Sequence, residues 1–240
     1  VPDSGELADA VWPEMGRGAS TVVVPVGSLE QHGPHLPLDT DTAIASAVGR
    51  ALSDVLIAPA IAYGASGEHE EFPGTVSLGS QALESVLVEY GRSACRWAGR
   101  VLFINGHGGN GPALVKAVTL LRFEARDVAW VPCAVPGADA HAGRTETSLL
   151  LHLSPGRVRM SRAEPGNKEP IASLLPRLRE GGMVTVSANG VLGDPTGATA
   201  AEGEQFFSAL VERVTKALAR WEPGPDGRLR WEPDLDGRLT

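Results

Sequence analysis

The chain has 240 residues, 42% of them hydrophobic and 21% charged, which is the balance of an ordinary globular protein long enough to bury a substantial core. Its formal net charge of −8 argues against nucleic acid or an anionic membrane surface as a partner. No apolar run approaches the roughly 20 residues that cross a bilayer, so a membrane-spanning protein is excluded from the expectations.

In chain order, the apolar β-type runs lie at residues 21–26, 55–62, 101–105 and 128–135, with a weaker one at 183–186. Helical periodicity falls between and after them, at 42–53, 80–98, 111–125, 145–153 and 201–221. Strands alternating with helices predict an α/β fold: one domain, with a mostly parallel sheet flanked by helices on both faces. The domain is expected over residues 1–221. Beyond it, Arg220-Trp221-Glu222-Pro223 with Asp226-Gly227-Arg228-Leu229 recurs as Arg230-Trp231-Glu232-Pro233 with Asp236-Gly237-Arg238-Leu239. One short duplication is no solenoid, and residues 222–240 are expected to be a flexible tail with a tandem repeat.

The start, Val1-Pro2-Asp3-Ser4-Gly5-Glu6, lacks the basic and apolar regions of a signal peptide, and the absence of an initial Met implies that a few residues precede it. Cys95 and Cys133 are too few for a disulfide scaffold and match no short zinc-binding spacing. Reduced cysteines in a cytoplasmic protein are the expectation.

Chemistry concentrates where strands end. The first run leads into Gly27-Ser28-Leu29-Glu30-Gln31-His32-Gly33-Pro34-His35 and then Asp41; the third into Asn105-Gly106-His107-Gly108-Gly109-Asn110; the fourth to His141 and Glu146. In an open α/β sheet the carboxyl ends of parallel strands share one edge, where ligands bind, so these clusters can converge. Carboxylate and imidazole together suit zinc, iron or manganese. Glu30 and His32 are two apart and point the same way in an extended segment. Small neighbours around His107 let backbone approach an ion or substrate closely.

These segments, with Phe72-Pro73-Gly74-Thr75, His141-Ala142-Gly143 followed by Glu146-Thr147-Ser148, and Gly193-Asp194-Pro195-Thr196, resemble in order the creatininase family of metal-dependent amidohydrolases. The whole sequence is most similar to the branch found in mycofactocin biosynthesis, peptidases that trim a modified precursor peptide. The resemblance implies two divalent metal ions per subunit, Fe2+ and/or Zn2+ with Mn2+ as an option. Glu30, Asp41 and His107 would hold one ion, and His32 with Asp41 would reach the second, making Asp41 the bridge. His141 and Glu146 would serve proton transfer, with Glu146 also completing the second metal shell. A homo-oligomer is implied as well.

Two departures from creatininase proper stand out. Gly108 and Gly109 replace a Tyr and a metal-binding Glu, and Gly137 replaces a Trp that closes over a small ring. Both changes remove bulk and favour a substrate larger than creatinine. The expected activity is hydrolysis of a C–N amide bond, releasing the C-terminal dipeptide-derived unit of the modified precursor peptide. The alternatives are a small-molecule amidohydrolase acting on creatinine or a formamidopyrimidine, and a non-catalytic metal-binding module. A phosphorylated substrate would need basic residues near the metal, and Arg144 and Lys168 are the evident candidates. Glu68 and His69, in a Gly-rich loop, are candidates for substrate contact; His35, Asp39, His152 and Asp194 read as structural or surface residues.

Overall fold

The computed structural model describes residues 5–16, 18 and 20–230. Four parallel strands, β1 (Thr21–Val26), β2 (Val55–Ile57), β3 (Arg100–Asn105) and β4 (Val128–Pro132), form one sheet in the order β2-β1-β3-β4. Among the described residues six α-helices accompany it: α1 (Thr40–Arg50), α2 (Ser80–Ala94), α3 (Gly111–Phe123), α4 (Arg144–Leu153), α5 (Ile171–Gly181) and α6 (Ala200–Arg220).

The strands read as continuous apolar runs because both faces are covered. Alternate residues feed two separate cores. Val23, Ile57, Leu102, Ile104 and Val131 pack with Ile44 and Val48 of α1, Leu150 of α4 and Val214 of α6. Val22, Val24, Leu56, Phe103 and Trp130 pack with Leu83 and Leu87 of α2 and Leu114 and Val118 of α3. The expected layer order is therefore present, with helices on both faces.

Three expectations need correction. The run at 183–186 is no strand: Met183–Thr185 is a single 3₁₀ turn, with Met183 buried against Leu174 and Leu178. Glycines at 181 and 182 end α5 immediately before it, and Gly182 adopts φ 71°, so the chain turns rather than extends. Second, α5 itself has no counterpart among the expected helices. Third, of residues 222–230, expected to begin a flexible tail, those at 226–229 pair with Trp130 of β4. Trp130 N–H donates to Gly227 O (3.1 Å), Leu229 N–H to Trp130 O (2.9 Å) and the Trp130 indole to Asp226 O (3.0 Å), while Leu229 is buried. The second copy of the repeat lies outside the described residues, apart from Arg230.

Candidate metal centre

Register places the ends of three strands level: Val26 pairs with Asn105, and Asn105 with Pro132. The chain leaves β1 through Gly27 and Ser28, bridges Leu29 to Val76, and ties Glu30 N–H to Leu38 O at 3.0 Å. It then enters α1, whose first turn carries Asp41. Two glycines allow this contact. A Cβ on Gly27 would lie 2.5 Å from the Thr42 Cα, and one on Gly106 would lie 2.4 Å from the Asp41 carbonyl oxygen. The start of α1 thus rests on strand-end backbone, with Glu30, Asp41 and His107 drawn to one point. His141 and Glu146 arrive from the loop after β4 and the first turn of α4, where His141 forms an antiparallel bridge with Leu192.

The donor atoms sort into clusters whose members all lie within 4.8 Å of one another: Glu30, Asp41 and His107; His32, His141 and Glu146; Glu30, His69 and His141. His107 Nδ1 is 3.1 Å from Glu30 Oε2 and 3.4 Å from Asp41 Oδ2. The other Asp41 oxygen, Oδ1, is 3.2 Å from His32 Nε2, which is 3.9 Å from Glu146 Oε2. Asp41 therefore faces two clusters, one with each oxygen. Ligands held tetrahedrally about 2.0–2.1 Å from a zinc-like ion stand about 3.3 Å apart, which matches three of these four separations.

Hydrogen bonds give an independent test of the donor set. His32 Nδ1–H donates to Glu30 O (3.2 Å), His107 Nε2–H to Ala65 O (3.2 Å), and His141 Nε2–H to Gln31 O (2.8 Å). A carbonyl only accepts, so each ring carries a proton on the outer nitrogen and turns its other nitrogen, the one a metal ion would take, toward the cluster. Metal-binding histidines are oriented in this way. Both Glu30 oxygens are buried without a hydrogen-bond partner, a costly state for a carboxylate unless a cation meets it. The residues fit a pair of divalent ions.

Protonation tells the same story. Burial alone would lower the His32 pKa, but Asp41, Glu146 and Glu30 outweigh it and raise it to about 10. At His107 burial is likewise overcome, by Glu30 and Asp41, and the pKa lies well above its ordinary value. Burial would raise Asp41, yet His32 and His107 hold it well below the usual carboxylate range. Burial lifts Glu146 to about 7 against the pull of His32. His141 moves down, through burial and the neighbouring His32 and His69, and stays neutral. Without a metal ion the acidic cluster draws protons onto His32 and His107, sites where a divalent ion would compete.

All five expected metal-site residues and His141 meet in this one region. Glu146 also accepts the Ala142 N–H at 2.6 Å, so its carboxylate is anchored by backbone at one oxygen. His35 contacts Thr147 Oγ1 at 2.8 Å, Asp39 pairs with Arg157, and the His152 ring packs at a tilt against Phe207, each a structural contact away from the cluster. Arg144 pairs with Glu202 and Lys168 with Asp194, which leaves neither basic group directed at the cluster.

The cluster floors a cavity of 940 Å³ whose outer wall is α5, through Ile171, Leu175 and Arg179. Gly137 lies outside it, in an adjoining hollow of 450 Å³. Gly109 does line it but leaves no free space there: a Cβ at that position would lie 2.4 Å from His107 Nε2 and 2.7 Å from Glu68 Oε1. The expectation that both glycines enlarge the pocket is therefore corrected; the room comes from the placement of α5. His69 is the residue sequence reasoning undervalued. It is 3% exposed, lines the cavity, and sits 3.4 Å from Glu30 Oε1. Its membership of a Gly-rich loop was the one available signal.

Fold and site together define an α/β protein with a buried carboxylate–imidazole centre, suited to divalent ions, at the carboxyl edge of its sheet. Residues 8–218 match the family Creatininase, described as creatinine amidohydrolase, and the chain belongs to that family. It is 55% identical over 95% of its length to the mycofactocin precursor peptide peptidase of Mycobacterium tuberculosis, covering 96% of that protein. It is 58% identical over 87% of its length to the protein of that name from Mycolicibacterium smegmatis, covering 88% of it. Among solved structures, a manganese creatininase matches with a TM-score of 0.75 at 25% identity, over 92% of this chain and 100% of that one. A creatininase variant of the Zn-Zn type matches with a TM-score of 0.76 at 26% identity, over 92% and 99%.

Proposed function

We propose that this protein is a metal-dependent peptidase that cleaves a C–N amide bond of the modified mycofactocin precursor peptide, releasing its C-terminal dipeptide-derived unit. The observation that carries the reading is the buried Glu30 carboxylate, without a hydrogen bond at either oxygen and facing the inner nitrogens of the surrounding imidazoles, in a chain 55% identical to peptidases of that name. Glu30, Asp41 and His107 would hold one divalent ion and His32, Asp41 and Glu146 the other, with zinc, iron or manganese suited to this nitrogen and oxygen set. Bound ions of this kind make a water acidic near neutral pH and polarise a carbonyl.

The remaining work falls to the chain. His141, neutral and held by Gln31 O, presents Nδ1 to accept a proton from the attacking water and pass it to the departing amide nitrogen. Ser28 Oγ–H fixes Asp41 through Oδ2 at 2.5 Å, and the Ala142 N–H fixes Glu146. The cavity, at 940 Å³, exceeds the needs of one small ring and suits a peptide end. The free cysteines Cys95 and Cys133 support a reducing, cytoplasmic setting, and the exposed Trp12 and Phe123 are apolar contacts that a homo-oligomer would cover.

The test is incubation of metal-loaded protein with the modified precursor peptide, creatinine and a formamidopyrimidine, with products read by mass spectrometry. A peptide shortened by its C-terminal unit is expected. Turnover of creatinine alone would return the protein to the small-molecule branch. No turnover and no retained metal would leave a binding module.

A further inference from the structure

His69 differs from the other three histidines of the cluster, and Gln31 is the reason. The Gln31 side chain is oriented by its ends: Oε1 accepts from Gly33 N–H (2.8 Å) and Nε2 donates to Gly190 O (3.1 Å). A flipped amide would lose both bonds. The second hydrogen on Nε2 then faces His69 Nδ1 at 2.9 Å. No hydrogen remains for His141 Nε2, 3.1 Å away, which itself donates to Gln31 O. His69 Nδ1 must therefore accept, and the ring proton sits on Nε2, the nitrogen that faces Glu30 Oε1.

By residue type, Glu30, His69 and His141 look like a third metal site. With a proton on His69 Nε2 they cannot be one, since a ligand needs that lone pair. At 3.4 Å from Glu30 Oε1, Nε2 also lies beyond the ordinary N–H···O range of about 2.7–3.2 Å, so its hydrogen is free for another acceptor. The His69 and His141 rings stand 4.5 Å apart, centroid to centroid, and both line the cavity. A donor and an acceptor thus face one volume beside the proposed metal pair.

We propose that His69 Nε2–H is a catalytic hydrogen-bond donor to the oxygen of the scissile carbonyl. This rests on the amide-hydrolase reading above. As the water oxygen bonds to the carbonyl carbon, the C=O π pair moves onto the carbonyl oxygen and one water proton passes to His141 Nδ1. The C–N bond then breaks, the carbonyl re-forms, and the proton leaves with the amine. His69 exchanges no proton; it stabilises the charge that gathers on oxygen, as preorganised donors do in a buried site.

Three readouts test it. In zinc-loaded protein labelled with ¹⁵N-histidine, His69 is expected to show a protonated Nε2 and an unprotonated Nδ1; the reverse tautomer or a zinc-bound Nε2 overturns the proposal. His69→Ala is expected to lower kcat ~10²–10³-fold with KM and metal content nearly unchanged, while His69→Gln, which keeps an N–H near that position, recovers part of the loss. Unchanged kcat in His69→Ala, or loss of one metal equivalent, overturns it. Should His69→Ala fail to fold, as read by circular dichroism, the tautomer and His69→Gln remain decisive. Failure of the wild-type protein to cleave the peptide counts against the substrate alone, because kinetics can then be read on whichever amide it does hydrolyse and the tautomer needs no substrate.

Discussion

The floor and the outer wall of the cavity are built by different means. The floor is made of strand ends and helix starts in backbone contact, where Gly27 and Gly106 leave no room for a side chain and the imidazoles of His32, His107 and His141 are each fixed by a carbonyl. The wall, residues 155–197, is a series of 3₁₀ turns around α5, with a small core of Leu174, Leu178, Met183, Val186 and Leu192. Its α5 and the turn at Met183–Thr185 pack on the turn that carries Glu68 and His69, while the turns at either end of the wall pack on α4. The floor has the rigidity that chemistry needs, held by hydrogen bonds and close approach. The wall has fewer buried contacts and presents half-exposed Ile171 and Leu175 with Arg179, the one arginine or lysine among the described lining residues. Chemistry should therefore depend on the floor and selectivity on the wall.

The most severe test of that division is Asp41→Ala. Turnover is expected to fall to background and metal content to drop, while circular dichroism still reports the fold; near-normal activity with full metal content would remove Asp41 as the bridge. Asp39→Ala, two residues away and paired with Arg157 on the surface, should be mild. Next come the two residues after β4. His141→Ala is expected to lower kcat ~10²–10⁴-fold with both ions retained. Glu146→Gln should instead weaken the second ion, so that added metal restores part of the activity. If neither variant loses metal and neither is rescued, Glu146 is the base and not a ligand.

A smaller effect is set by pH. His32 is raised from 6.5 to about 10, so in metal-free protein its contribution to stability is complete below about pH 6.5 and is lost as pH climbs towards 10. Metal needs the neutral ring, so each displaced proton makes affinity rise about tenfold per pH unit in the same window. Thermal melts with chelator should move down from pH 6.5 to 9, while the upward shift produced by added zinc grows. Parallel behaviour of the two series would contradict this assignment. Smallest of all, Leu175→Ala and Arg179→Ala on the wall should raise KM for the peptide several-fold, with stability changing by less than about 0.5 kcal/mol. A loss of kcat equal to that of a floor variant would erase the distinction between the two regions.

The same division governs what could be read from the chain. The four main strands and five of the six helices follow from periodicity, because both sheet faces are buried and the helices facing them repeat at 3–4 residues, as Leu83 and Leu87 or Leu114 and Val118 do. The ligand candidates were legible because each follows a strand. The wall was not. Pro176 inside α5 reads as a breaker, yet the helix tolerates it on its exposed side while Leu174 and Leu178 bury the other. The β-branched Val184-Thr185-Val186 mimics a strand with no sheet position to fill. The role of His69 depends on Gln31, thirty-eight residues earlier, and on which way its amide points. No local pattern carries that information.

The terminal segments also decide what the sheet offers to other molecules. Gly5 O accepts the Ile57 N–H at 2.8 Å along β2, and residues 227–229 exchange hydrogen bonds with Trp130 along β4. Both outer strands are therefore already partnered by other segments of the same chain. An unpaired strand edge is a template for adding a foreign strand, and hence for aggregation. Here the duplicated motif acts first as an edge guard: a chain cut after Trp221 would uncover the polar backbone of β4 and trade a self-contained sheet for one open to its neighbours.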